Sequence, residues 1–103
     1  MNRVRFFRSD IYDFLQSFDD CLVTKIFGLL EALDEFGMYL SPSKLKKINK
    51  DIHELRVIGK TSVRILVSFK NNNIYILHAF VKKSQKLPKK ELGIALNRLR
   101  YLQ

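Results

Sequence analysis

The period of the hydrophobic pattern changes once along the chain and divides it into a helical half and a strand-rich half. Ile11, Phe14, Leu15 and Phe18 recur at i, i+3, i+4 and i+7, the spacing that lines one face of a helix. Ser9 stands where an N-cap belongs, and Asp10 sets a negative charge against the positive end of the helix dipole. Leu22, Ile26, Leu29, Leu30, Leu33 and Phe36 keep the 3.6-residue period through a second helix over about residues 20–36, and Gly37 is its stop. Gly28 inside that helix costs about 1 kcal/mol relative to Ala. Ahead of both helices, residues 2–7 mix β-branched and aromatic residues with alternating charge, as a short strand does.

Ser41-Pro42 reads as an N-cap followed by Pro at N1, which predicts a short Lys-rich helical turn through Ile48. From His53 the period becomes two. Leu55 and Val57 alternate with Glu54 and Arg56, and Val63, Ile65, Val67 and Phe69 alternate with Arg64, Leu66 and Ser68. Asn71-Asn72-Asn73 marks a tight turn, because Asn tolerates the left-handed region. Ile74–Val81 is almost continuously apolar, the pattern of a central strand covered on both faces. Pro88 opens a last helix with Leu92, Ala95, Leu96, Leu99 and Leu102 on one side. The predicted order is β-α-α-β-β-β-α, with the three later strands in an antiparallel meander: an α+β domain.

Composition narrows the class. The 103 residues are 47% apolar, which suits one core and so one domain over residues 1–103. A lone cysteine, Cys21, excludes a disulfide scaffold and a Cys-based zinc module. No apolar run approaches the roughly 18–20 residues of a membrane span. Met1-Asn2-Arg3-Val4-Arg5 leads into no signal-type apolar core, so a cytoplasmic protein without a membrane partner is expected.

Charge changes the picture more. The net charge is +9, but residues 1–40 hold four basic and seven acidic residues, while residues 41–103 hold fifteen basic and three acidic. The strand-rich half therefore repels itself unless an anion is near, and nucleic acid is the usual anion inside a cell. The plain alternative is a solvated lysine surface that aids solubility.

The common catalytic signatures are missing: there is no phosphate loop, no GxGxxG, no Cys–His pairing, and only His53 and His78 as histidines. No metal or cofactor is expected. Cations on the sheet remain. Arg56 opposes Leu55 and Val57 in phase, and Arg64 opposes Val63 and Ile65, so both arginines share the face away from the apolar side chains. Arg56 can equally pair with Glu54, two residues away on the same side of the strand. Lys82 and Lys83 stand at the end of the last strand. Such a set suits RNA cleavage, in which the 2′-OH attacks the adjacent phosphate. Arginine forks grip the dianionic phosphorane, and a lysine among other cations can move protons. Lys44, Lys46, Lys47, Lys86, Lys89 and Lys90 read as RNA-tracking cations, against the alternative of a solvated face. Tyr75 and Tyr101 offer stacking faces for bases, whereas most phenylalanines read as core.

The motifs add a resemblance. Glu54-Leu55-Arg56, then Val63-Arg64-Ile65, then Leu77-His78-Ala79-Phe80-Val81-Lys82-Lys83-Ser84-Gln85-Lys86-Leu87-Pro88 resemble the HigB-like branch of the RelE/ParE toxin superfamily. Lys89-Lys90-Glu91-Leu92 with Ala95 is similar to the opening of that family's last helix, and Tyr12-Asp13-Phe14-Leu15 and Leu30, Leu33 and Gly37 to its helical half. The resemblance implies a RelE-like, microbial-RNase-type fold with a small, mostly antiparallel sheet packed on helices. It implies the toxin of a type II toxin–antitoxin system, an mRNA endoribonuclease that is metal-independent and works at the ribosome, with a cognate antitoxin, mRNA and the ribosome as partners. It implies catalytic roles for Arg64, Lys82, Lys83 and Arg56. The chain departs from RelE-type members at Glu54, where they carry Lys, at Leu87, where Ser or Thr precedes the proline, and in having no tyrosine in the last helix before Tyr101. The general acid and base are therefore unassigned, with His78 and Tyr101 as candidates for proton transfer. A ParE-like toxin that inhibits gyrase without cleaving RNA, or a non-enzymatic RNA-binding module, are the competing expectations.

Overall fold

A computed structural model describes residues 1–102. The elements are β1 (Val4–Phe6), α1 (Ser9–Gln16), α2 (Asp20–Phe36), β2 (Leu45–Lys47), β3 (His53–Val57), β4 (Val63–Lys70), β5 (Asn73–Val81) and α3 (Lys89–Arg100). The sheet order is β1-β5-β4-β3-β2, with β1 parallel to β5 and every other pair antiparallel. This is an α+β fold of the RelE-like kind: a mixed sheet between a helical hairpin and a single helix.

Local chemistry explains most boundaries. Asp19 caps α2 by accepting from Leu22 N at 2.9 Å, and Gly37 ends it with φ at +57°, a region that only glycine enters freely. Asn71 and Asn72 both have positive φ, 53° and 64°, as a two-residue turn that matches the twist of its hairpin requires. α1 departs from its predicted cap: Arg8 occupies the N-cap position, its side chain donating to the Asp10 carboxylate and not capping the helix backbone, and Ser9 is already helical.

One element is corrected. The Lys-rich helical turn expected through Ile48 is a single turn, closed by Leu45 N donating to Ser41 O at 2.9 Å, followed by strand β2. Ser41 Oγ meets Ser43 Oγ at 3.0 Å instead of capping a helix. The open edge of β3 decides this. Leu45 pairs opposite Leu55 and is buried, and Arg56 N donates to Lys44 O at 2.8 Å. Edge groups that would otherwise go unpaired override a weak local helix preference.

The sheet is packed on both sides. Leu55, Val57, Val63, Ile65, Val67 and Ile76 meet Leu15, Leu22, Ile26, Leu30 and Leu33 of α1 and α2. Ile52, Leu66, Leu77 and Phe80 meet Ala95 and Leu99 of α3 on the other side. β5 is thus covered on both faces, as its apolar run predicts. Leu66 pairs with His78 but Val67 with Ile76, so Leu77 is an extra residue in β5. This bulge sends Leu77 into the α3 cluster while His78 also reaches α3, through Glu91. Among the described residues no helix is long and apolar enough to cross a membrane.

Candidate phosphate-handling site

Strand alternation puts Glu54, Arg56 and Arg64 on the α3 side of the sheet, and the register sets Arg56 opposite Arg64. Like charges directly opposite each other destabilise a sheet, so this pair needs a counter-charge. Glu54 supplies it. Its side chain is 1% exposed, and its Oε1 accepts from Arg56 Nε at 3.2 Å. Arg64 Nε lies 3.8 Å from Oε1, and Lys82 Nζ lies 3.9 Å from Oε2. Lys82 arrives there because its own N–H donates to Ser62 O at 2.8 Å, continuing the β4–β5 ladder past the end of β5.

A lone buried carboxylate is prohibitively costly; one carboxylate shared among three cations is compensated and leaves the cluster a net cationic centre. The contacts are loose. Glu54 Oε2 and Arg64 Nε are buried with no hydrogen-bond partner among the described residues. Arg64 Nη1 donates only to the adjacent Val63 O, at 3.3 Å. Burial lowers the Arg64 pKa from its ordinary value; Glu54 opposes the shift and neighbouring Arg56 adds to it. The guanidinium stays charged, with an unspent donor where an anion can use it.

The cluster opens on a cleft of about 440 Å³ lined by Arg56, Ser62, Arg64, Lys82, Lys83, Ser84 and Gln85. Arg56, Arg64, Lys82 and Lys83 therefore converge, as their strand positions predict. The remaining cations are more spread. Lys46 stands opposite Glu54 on β2, and Lys47 opposite His53. Lys44 lines a neighbouring groove that shares Arg56. Lys86, Lys89 and Lys90 are exposed around the start of α3, outside the cleft lining.

The proton-transfer candidates lie elsewhere. His78 Nε2 is 3.0 Å from Glu91 Oε1, its ring stacks on Phe80 at 5.7 Å, and it lines a separate hollow with Asp10, Phe14 and Arg98. Tyr101 is 83% exposed next to Phe7, beside the far end of β4, where Lys70 Nζ donates to Leu102 O. From Arg64 to Lys70 the strand rises about 20 Å, so Tyr101 is not brought to the cleft. Tyr75 is half-buried under α3. His53, on the α2 side, packs edge-on against Phe69 at 5.0 Å; burial, then the Lys47 charge, lowers its pKa.

Glu54 is the residue whose central place the sequence understates. Its one sequence signal is that it shares the phase of Arg56; that it also meets Arg64 and Lys82 depends on strand order.

No curated protein matches the chain. Residues 13–100 match a family model, phage-derived protein Gp49-like (DUF891), a span that runs from α1 to the end of α3 and holds every cation of the cleft. This match carries the coarse part of the resemblance, a RelE-like, toxin–antitoxin-type module, and does not single out the HigB-like branch. With most of its length matched, the chain belongs to the Gp49-like family of phage-derived proteins.

Proposed function

We propose that the chain is the toxin of a type II toxin–antitoxin pair and an endoribonuclease that cuts mRNA at the ribosome. The observation that carries this reading is the gathering of Arg56, Arg64 and Lys82 around one buried carboxylate at the floor of an open cleft. In the proposed reaction the 2′ oxygen bonds to phosphorus as the bond to the 5′ oxygen breaks. The 2′-OH gives up its proton and the leaving 5′ oxygen gains one, so the products are a cyclic phosphate and a 5′-OH. Arg64 and Arg56 grip the non-bridging oxygens, whose charge grows in the phosphorane, and Lys82 and Lys83 add to the same field. Glu54, at 1% exposure, is a positioning residue: it holds the cations at fixed spacing before substrate arrives. Binding of mRNA and of an acidic antitoxin both fit the excess of positive charge in residues 41–103.

The test is a translating extract supplied with the protein, with mRNA 5′ ends mapped by primer extension. Codon-phased cuts are expected, falling by about 10²–10³ in rate with Arg64→Ala. No cuts, together with gyrase-linked DNA breaks, would replace this reading with a ParE-like one.

A further inference from the structure

Lys44, Lys46 and Lys47 carry the same charge but stand in different places. Leu45 is buried on the α2 side, so strand alternation turns Lys46 to the α3 side and Lys47 back to the α2 side. Their surroundings agree. Lys47 pairs opposite His53, which packs against Phe69, and burial and then the Lys47 charge lower the pKa of that imidazole. Lys46 pairs opposite Glu54, the carboxylate shared by Arg56, Arg64 and Lys82. Lys44 lines the groove of about 380 Å³ beside Gly28 and Leu29 of α2.

Lys46 stands at the border of the open part of its face. Ile48, two residues on, packs with Ile52 into the cluster under α3, so the covered region begins there. Among the described residues Lys46 is exposed and stands outside the ion pairs that Glu54 makes. Lys46 and Arg56 are diagonal neighbours on adjacent strands, about 7–8 Å apart, a separation that long side chains close. From Lys82 past the end of β5, over Arg64 on β4 and Arg56 on β3, to Lys46 on β2 is three strand spacings, about 14 Å. Along the strands the way is closed on one side, where α3 covers Leu66, Leu77 and Phe80. A polyanion that leaves the cleft and stays on the sheet therefore runs across the strands, toward β2.

We propose that single-stranded RNA crosses this face at right angles to the strands, and that Lys46 holds the phosphate next to the one gripped by Arg56 and Arg64. The proposal rests on the RNA-cleaving reading for its ligand. It divides two lysines that charge alone treats alike. A diffuse field weights Lys46 and Lys47 nearly equally, because they are adjacent in the chain; a bound phosphate takes only the one on its own face. Lys46 is thus a positioning residue: it anchors the neighbouring nucleotide without touching the reacting atoms.

The probe is a 2′-O-methyl oligouridine of about six nucleotides, which 2′-OH attack cannot cut and which therefore reports binding alone. Its affinity is measured against salt for the wild-type protein, Lys46→Ala, Lys47→Ala and Lys46→Arg. Both lysines are exposed, and thermal unfolding checks every fold. Lys46→Ala is expected to shallow the slope of log affinity against log salt by about 0.7, the share of one phosphate contact on a single strand. Lys47→Ala should leave the slope unchanged, and Lys46→Arg should keep it, because the charge stays on the same face. Equal slopes for the two alanine variants would overturn the proposal and leave a diffusely charged edge. A slope that stays shallow with Lys46→Arg would also overturn it, since Lys46 would then act through the strand and not through a phosphate. A wild-type protein that binds no oligomer overturns it as well. Cuts in the translating extract, with no difference between Lys46 and Lys47, remove the path alone. Oligomer binding that depends on Lys46, with no cuts, removes the enzymatic reading and leaves the path.

Discussion

The two faces of this sheet are made from alternate residues of the same strands, yet one is sealed and the other is not. Under α1 and α2, Leu55, Val57, Val63, Ile65 and Val67 are at most 2% exposed and pack into one core with aliphatic and aromatic side chains of the helices. On the opposite face, α3 covers Leu66, Leu77 and Phe80, and beyond its N-terminus the face turns ionic, with Glu54, Arg56, Arg64 and Lys82. The sealed face gains stability from transfer of apolar area, and its one buried polar atom without a partner among the described residues is His53 Nδ1, at the start of β3. The open end keeps buried donors and acceptors incompletely paired, at Arg64 Nε and Glu54 Oε2. Stability and ligand chemistry are thus separated by side of the sheet and position along it, and each half of that division can be tested.

The largest expected effect is on the sealed face. Leu30 is fully buried between α2 and the sheet, and Leu30→Ala should cost about 2–5 kcal/mol in denaturant unfolding through lost transfer energy and the cavity left behind. The residual folded protein should keep its cleavage pattern; a loss of activity in step with folded fraction only would uphold the separation.

Glu54 tests whether the open end is a unit. Glu54→Gln keeps the shape but removes the charge shared by Arg56, Arg64 and Lys82, and a cost of about 1–3 kcal/mol is expected for the unmatched buried group. Cleavage should fall with little change in the salt dependence of RNA binding, because the cations are all retained. If activity is untouched, the carboxylate is structural and the positioning role is wrong.

Gly28 lies outside both regions, on the groove side of α2. Gly28→Ala should raise stability by about 0.5–1 kcal/mol, because the unfolded chain loses freedom and the new Cβ meets no atom within 4 Å. A destabilised variant would mean that the groove is tighter than its geometry indicates.

The smallest effect is a pH slope from the sealed side. Burial and the Lys47 charge lower the His53 pKa, so the folded state binds a proton less readily than the unfolded chain does. Above its unfolded value near pH 6.5 this group does not affect stability; as pH falls from that value toward the lower folded one, the unfolded chain takes up the proton first and stability falls. His53→Gln should flatten stability against pH in that window, and an unchanged slope would assign it to another group.

Long, regular segments were legible because one periodicity decided them. α2 ends at the glycine that its pattern names, and β4 and β5 meet at asparagines that can adopt positive φ. The common face of Arg56 and Arg64 followed from strand alternation alone. β2 was not legible, because its strand state comes from the free edge of β3 and not from its own residues. The bulge at Leu77 was hidden in an apolar run, where every position looks buried and phase carries no signal.

The chain by itself therefore determined the order of its main elements, the face on which its strand cations stand, and the split of charge between its halves. These properties depend on neighbours a few residues apart. Only the tertiary structure decided that Glu54 would sit beneath three cations, that Lys82 would reach it from beyond the end of β5, and that His78 would be held by α3. Those contacts require strand register and the place where a helix stops covering a sheet, and long-range pairing sets both.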